Sequence, residues 1–300
     1  MIRQPKKHWQ RKQLDLRSVS KNPKLLGSIL SFWGIILSSS LGLAQSFTMV
    51  TWNIQDLGRT VTAPQVEDIV QILRGYDLVL IQEVVAKDPA GAQKVAAIAD
   101  GLSRTGAAWD YRVSDPTQSP SANISERYAI LWKPSKLQLQ GRPFLDAELK
   151  EECDREPFLA RFKIAGDTTR FWVVNFHART HDNAPEEEIR YFAQYQRRLG
   201  TTAVVIAGDF NLDDSHPVWT PFFQQGYKTA LSKTPTTLKR DCNTDGEYFN
   251  YAIDNVFFPG SVFAKTASGR VDFVKTCEHL AEARDLSDHV PVWIKLQLLP

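Results

Sequence analysis

Cysteine is scarce in this 300-residue chain: only Cys153, Cys242 and Cys277 are present, and their spacing excludes a zinc-ligand pattern. Three cysteines permit one disulfide with one thiol left over, which fits an exported protein without requiring one. Three pairings are open. Cys242 with Cys277 is favoured, because each lies in a loop-like stretch just before a segment carrying a candidate site residue. Internal repeats and low-complexity linkers are absent, so the body reads as one domain from about Phe47 to Pro300. A composition of 43% hydrophobic and 23% charged residues excludes disorder and allows a substantial core.

Positive charge is also lacking where the overall balance suggests it. The net +2 is misleading, because the first 44 residues hold eight basic side chains and one acid, Asp15. The remainder has 28 basic and 33 acidic residues, a formal charge of −5. This excludes the body as a general polyanion magnet, so any nucleic-acid binding rests on local basic groups and bound cations. The basic opening leads into Leu25 to Ala44, twenty residues without a charge, with Gly42 and Ala44 at the −3 and −1 positions for cleavage before Gln45. Residues 1–44 thus read as an export signal, with a retained membrane anchor as the competing reading. Either way the positive residues would stay on the cytoplasmic side and the body would be exported, secreted or periplasmic after cleavage.

Beyond the leader, apolar and β-branched runs alternate with helical patterns, which predicts an α/β protein. Strands are expected at Phe47 to Asn53, Asp77 to Gln82, Arg127 to Trp132, Phe158 to Ile164, Arg170 to His177, Ala203 to Gly208, Asn250 to Phe258, Gly269 to Val274 and Val290 to Leu298. Helices are expected at about Ala63 to Gly75, Ala90 to Arg104, Pro185 to Leu199 and Val218 to Gln224, the third with its charges on a solvated face.

Polar residues sit where these apolar runs stop. Asn53 follows the first, Glu83 the second and His177 the sequence VVNF, while Asp209 and Asn211 follow AVVIAG. Asp254 interrupts YAIDNVFF, and Asp288-His289 opens the last strand. Each is weak evidence alone: GDFN could be a tight turn, and an Asp-His pair a turn with a surface histidine. A carboxylate inside an apolar run is harder to dismiss, because burying it unpaired is costly. Together they suit phosphodiester hydrolysis. Glu83, Asn53 and Asp288 offer the hard oxygens that Mg²⁺ takes. His289 with Asp254, and His177 with Glu126, offer proton transfer near neutral pH, while Asp209 and Asn211 would orient the nucleophile and bind phosphate or a second cation.

In order along the chain, WNIQDLG, DLVLIQEV, SERYAILWKP, CDREPF, NFHA, GDFN, AIDNVFF and SDHVPV resemble the endonuclease/exonuclease/phosphatase superfamily. SERY and REPF are similar to its deoxyribonuclease I-like branch. The resemblance implies a four-layer α/β sandwich, two packed mixed β-sheets flanked by helices, over residues 45–300. It implies a Mg²⁺- or Mn²⁺-dependent endonuclease, with Ca²⁺ as a further candidate ion, that cuts DNA to 5′-phosphate ends. By the same match Glu126 pairs with His177, and Arg155, with Asn53 and Asn211, faces the substrate. Val85 and Ile124 stand where that branch has an arginine and a tyrosine in the DNA groove, which implies looser readout that includes RNA or single strands.

Two other readings compete. A sphingomyelinase or phosphoinositide phosphatase of the same fold would call for an apolar docking hairpin or a basic pocket, and neither is evident. An inactive binding subunit would be expected to have lost some of the site residues.

Overall fold

The computed structural model describes residues 45–300, so the leader reading at residues 1–44 lies outside the described residues. No described helix is long and apolar enough to cross a membrane. The strands are β1 (Ser46–Leu57), β2 (Leu78–Val85), β3 (Asp110–Val113), β4 (Glu126–Trp132), β5 (Leu137–Leu139), β6 (Phe144–Leu145), β7 (Phe158–Ile164), β8 (Arg170–His177), β9 (Val204–Asp209), β10 (Tyr227–Thr229), β11 (Asp254–Pro259), β12 (Phe263–Arg270) and β13 (Val292–Leu298). They form two sheets, ordered β12-β13-β1-β2-β4-β3 and β10-β11-β9-β8-β7-β5, with β6 paired to β7. Both sheets are mixed: β1 and β2 run parallel, as do β8 and β9, among antiparallel neighbours.

Alternation along the strands builds the layers. Met49, Leu78, Leu80, Tyr128 and Ile130 of the first sheet meet Phe158, Phe162, Val173, Val205 and Phe258 of the second in the central core. The residues between them face outward. Val50, Val79, Ile81 and Leu131 pack against α1 (Ala63–Leu73) and α2 (Ala90–Ser103) through Ile69, Leu73, Val95 and Ile98. Val174, Phe176, Val204 and Ile206 pack against Ile189, Phe192, Tyr195, Trp219 and Phe222, from the short helices α3 (Glu186–Ile189), α4 (Tyr195–Arg198) and α5 (Thr220–Gln224) and the turns joining them. The result is a four-layer α/β sandwich. Burial on both faces explains why the strands read as unbroken apolar runs. Each such side chain contributes about 1.5–3 kcal/mol, which holds the layers together around a polar site.

Helix α1 starts where Thr62 accepts from the Gln65 amide while the Gln65 side chain accepts from Thr62, a reciprocal cap. Helix α2 lies close to β2 because Gly91 is there: a Cβ at that position would stand 2.3 Å from the Val85 carbonyl oxygen.

Several expected elements differ. The helix predicted from Pro185 to Leu199 is broken into α3, a 3-10 stretch and α4, and its face is not wholly solvated. Glu188 is fully buried, accepting from the Asp154 and Arg179 amides at 2.6 and 2.8 Å, with the Arg179 guanidinium beside it. Its carboxylate serves the backbone of neighbouring loops, which periodicity does not register. The strand expected at Gly269 to Val274 lies earlier, as β12, whose alternation is masked by exposed Lys265, Thr266 and Ala267. Asp254 opens β11 rather than interrupting it. A last helix, α6 (Leu280–Leu286), was not anticipated.

Candidate active site

Three of the candidate residues are placed side by side by strand register alone. His177 closes β8 opposite Asp209 at the end of β9, and Asp209 stands opposite Asp254 at the start of β11. Gly208 makes this possible. It has φ of +149°, and a Cβ there would lie 1.8 Å from the Phe176 carbonyl oxygen. The GDFN turn then returns Asn211, at φ of 51°, so that its amide N–H donates to Asp209 Oδ1 at 2.9 Å and its side chain to the Ala178 carbonyl at 3.2 Å.

The first sheet contributes through irregularity instead. Asn53 and Glu83 do not end their strands; β1 and β2 continue past them with shifts of register, between Asn53 and Leu57 and between Ile81 and Val84. Glu83 has φ of 60°. Bulges of this kind re-aim side chains that a regular pleat would send elsewhere. Asn53 Nδ2 donates to Glu83 Oε1 at 2.9 Å and to Asp209 Oδ2 at 3.2 Å, joining the two sheets. Its Oδ1 is buried with no hydrogen-bond partner.

Two histidines face each other across Asp209. Glu126 Oε2 holds His177 Nδ1 at 2.8 Å, and Asp254 Oδ2 holds His289 Nδ1 at 2.9 Å. The opposite ring nitrogens, both Nε2, lie 3.6 and 3.7 Å from Asp209 Oδ2. His289 is not on a strand. It sits in a turn fixed by Ser287, whose hydroxyl donates to the Asn53 carbonyl and accepts from the His289 amide, while the Trp52 indole donates to the His289 carbonyl.

Burial disfavours charge on His289, but Asp254 and then Asp209 outweigh it and push its pKa up to about 10. His177 is opposed by burial and raised by Glu126. Glu126 is raised by burial but, on balance, held below its ordinary range by His177 and Arg155. Burial, with Asp254 adding to it, raises Asp209 against the pull of both histidines.

Arg155 is largely buried, with Nε 2.9 Å from Glu126 Oε2 and Nη1 donating to the Ala178 carbonyl, and Nη2 makes no hydrogen bond among the described residues. It lines a polar cavity of about 220 Å³ with Glu83, Glu126, Lys87 and Asn123. Asp288 is half-exposed, with its carboxylate 4.0 Å from Arg284 and no hydrogen bond to Asn53 or Glu83 among the described residues. Two donor sets could take a cation: Asn53 with Glu83, and Asp209, Asp254 and His289, whose ligand atoms lie within 4.8 Å of one another.

Residues that sequence reasoning left without a role are Ser287, Tyr128, whose hydroxyl accepts from the His177 amide, and Thr236, whose hydroxyl donates to Asp254 Oδ2 at 2.6 Å. Ser287 and Tyr128 lie inside SDHVPV and SERY, so those motifs could have pointed to them. Thr236 carries no sequence signal. Cys242 and Cys277 form the disulfide, and Cys153 is a buried thiol whose pKa burial raises.

Fold and site together define a four-layer α/β sandwich protein whose paired mixed sheets carry a buried aspartate between two carboxylate-bound histidines. The chain belongs to the endonuclease/exonuclease/phosphatase family, whose model matches residues 50–289. It is 29% identical over 298 residues to Deoxyribonuclease-1 of Homo sapiens, covering 91% of this chain and 99% of that protein. Its fold is similar to an endonuclease/exonuclease/phosphatase family protein from Bacteroides thetaiotaomicron (TM-score 0.59, 17% identity, 86% of this chain and 99% of that one). A mannosyl-6-phosphatase from the same organism has a TM-score of 0.57 at 16% identity, covering 85% of this chain and 100% of that one.

Proposed function

We propose that this chain is an exported, divalent-metal-dependent phosphodiesterase that hydrolyses DNA with little sequence preference, leaving 5′-phosphate ends. The observation that carries this reading is the convergence of two carboxylate-bound imidazoles on Asp209, which sets two proton-transfer groups across one buried polar centre. Family membership and the likeness to Deoxyribonuclease-1 support it. Residues 45–300 are the catalytic domain, and residues 1–44 an export leader cleaved before Gln45.

Glu83 and Asn53 would hold the cation, Mg²⁺ or Mn²⁺, with Asp288, whose carboxylate makes no hydrogen bond to either among the described residues, as a further oxygen ligand. The unpartnered Asn53 Oδ1 beside the Glu83 carboxylate fits such an ion, since a buried amide oxygen without a donor is costly and hard oxygens are the ligands these ions take. An ion held there would supply positive charge to a phosphate oxygen and to the departing alkoxide. His289 is the base for the attacking water, its tautomer fixed by Asp254. It rests protonated near neutrality, so activity rises as pH increases from there. His177, whose charged form Glu126 favours against burial, protonates the leaving oxygen or holds the phosphate. Asp209 and Asn211 orient the nucleophile and bind phosphate, and Arg155 offers Nη2 to the substrate.

The test is to incubate the purified body with plasmid DNA, RNA, sphingomyelin and mannose 6-phosphate, each with Mg²⁺ or EDTA. DNA nicking that EDTA stops is expected; metal-dependent cleavage of the lipid or sugar phosphate with DNA left intact overturns the substrate. Mass spectrometry of the exported protein should find Gln45 at the N-terminus, and a retained Leu25 to Ala44 would make the leader an anchor.

A further inference from the structure

Between β10 and β11 the chain runs out and back as a short ribbon that the proposed chemistry does not use. Thr237 and Leu238 make antiparallel bridges with His289 and Phe249, the Asn250 amide donates to the Thr237 carbonyl, and the Lys239 amide to the Tyr248 carbonyl. Its root is fastened to both members of one proton-transfer pair. The Thr236 hydroxyl donates to Asp254, the Thr236 carbonyl accepts from the Val290 amide, and Thr237 bridges His289. Its tip is tied by the Cys242–Cys277 disulfide.

Tyr251 stands at this root. Its carbonyl accepts from the Thr236 and Thr237 amides at 2.6 and 3.1 Å, and its own amide donates to the Thr237 hydroxyl at 2.9 Å. The backbone is therefore held firmly, yet the side chain is 63% exposed, against 43% for Phe144 and Phe223, the other exposed large apolar side chains among the described residues. The phenol makes no hydrogen bond among the described residues. A large ring held out in water on a pinned backbone contributes little to folding and is available to a ligand. Lys233, just before the ribbon, and Lys239, within it, add positive charge, whereas Asp241, Asp245 and Glu247 fall in the tip.

We infer that Tyr251 is a stacking platform for a nucleobase of the strand being cut, next to the phosphate that His289 faces. The inference rests on the proposed polynucleotide substrate and deepens it. Every base has a π-face, so stacking on an exposed ring tolerates any sequence, and neighbouring lysines follow the phosphates. A base available to stack is an unpaired one. The substrate class this favours is a single strand or a locally melted duplex end. A lipid surface is the other occupant an exposed tyrosine can take, but one ring with two lysines offers far less apolar area than membrane docking uses.

The experiment compares the wild type, Tyr251→Ala and Tyr251→Phe on a single-stranded oligonucleotide and on the same strand built from stable abasic residues, with Mg²⁺, reading KM and kcat separately. Tyr251→Ala is expected to raise KM for the intact strand about tenfold, within the range of base–aromatic stacking, with Tyr251→Phe within about twofold of wild type. On the abasic strand the KM ratio between wild type and Tyr251→Ala should collapse towards one. An unchanged KM in Tyr251→Ala, with the intact strand still cut, overturns the platform and leaves the nuclease reading standing. So does vesicle binding by the wild type that Tyr251→Ala abolishes while KM stays fixed. A wild type that cuts simple phosphodiesters but neither strand overturns the polynucleotide reading itself.

Discussion

The two sheets contribute to the site by opposite means. The second sheet uses regularity: His177, Asp209 and Asp254 are register partners on three adjacent strands, a ladder without a register shift that the glycine at 208 permits. The first sheet uses irregularity, with Asn53 and Glu83 placed where register shifts and Glu83 driven to a positive φ. On the proposed reading, the second sheet supplies His177 and Asp254 to the two proton-transfer pairs, completed by Glu126 of β4 and His289 of the turn before β13, and the bulged strands present oxygens to a cation. A regular ladder fixes the spacing of His177, Asp209 and Asp254, whereas bulges let two side chains turn towards a point between the sheets.

This contrast can be broken from either side. On the proton-transfer side, His289→Ala or His177→Ala is expected to lower kcat by more than about a hundredfold in steady-state nicking assays. Near wild-type turnover in both variants would remove the imidazoles from the chemistry. On the cation side, Glu83→Gln should raise the Mg²⁺ concentration for half-maximal activity by about tenfold or more, the lower end of what loss of even an outer partner costs. An unchanged metal titration would move the ion to Asp209, Asp254 and His289.

A smaller effect follows from the charge on His289, whose pKa rises from an ordinary 6.5 to about 10. A histidine raised on folding contributes stability that is complete below its unfolded value and is lost as pH rises through the folded one. Urea melts of the metal-free protein should therefore weaken between about pH 6.5 and 10, and His289→Gln should flatten that slope; equal slopes would mean the proton is not held there. The smallest effect is expected from Ser287→Ala, which removes the hydroxyl tying the His289 turn to β1 and should cost about 1–3 kcal/mol of stability. A midpoint shift near zero would show that the Trp52 indole holds the turn by itself.

Much of this architecture was legible because its signals are local. Predominantly apolar runs revealed β7, β8 and β9, and a polar residue at the end of each of the last two revealed His177 and Asp209. The bulges were not legible: a shift of register depends on how two strands meet, and neither WNIQDLG nor DLVLIQEV shows it, so Asn53 and Glu83 were expected at strand ends. Thr236 was invisible for a similar reason, being eighteen residues from the carboxylate it serves. Glu188 misled because a charge on a helical pattern normally faces water, whereas here loop amides from Asp154 and Arg179, with the Arg179 guanidinium, make its burial tolerable.

Asp209 has a consequence for how the site titrates. One carboxylate oxygen lies near both imidazole Nε2 atoms, so a proton gained at either ring is felt by the other through the same atom. The inflections of a pH–rate profile will then belong to the trio as a whole, and replacing one histidine will move the apparent constant of its partner.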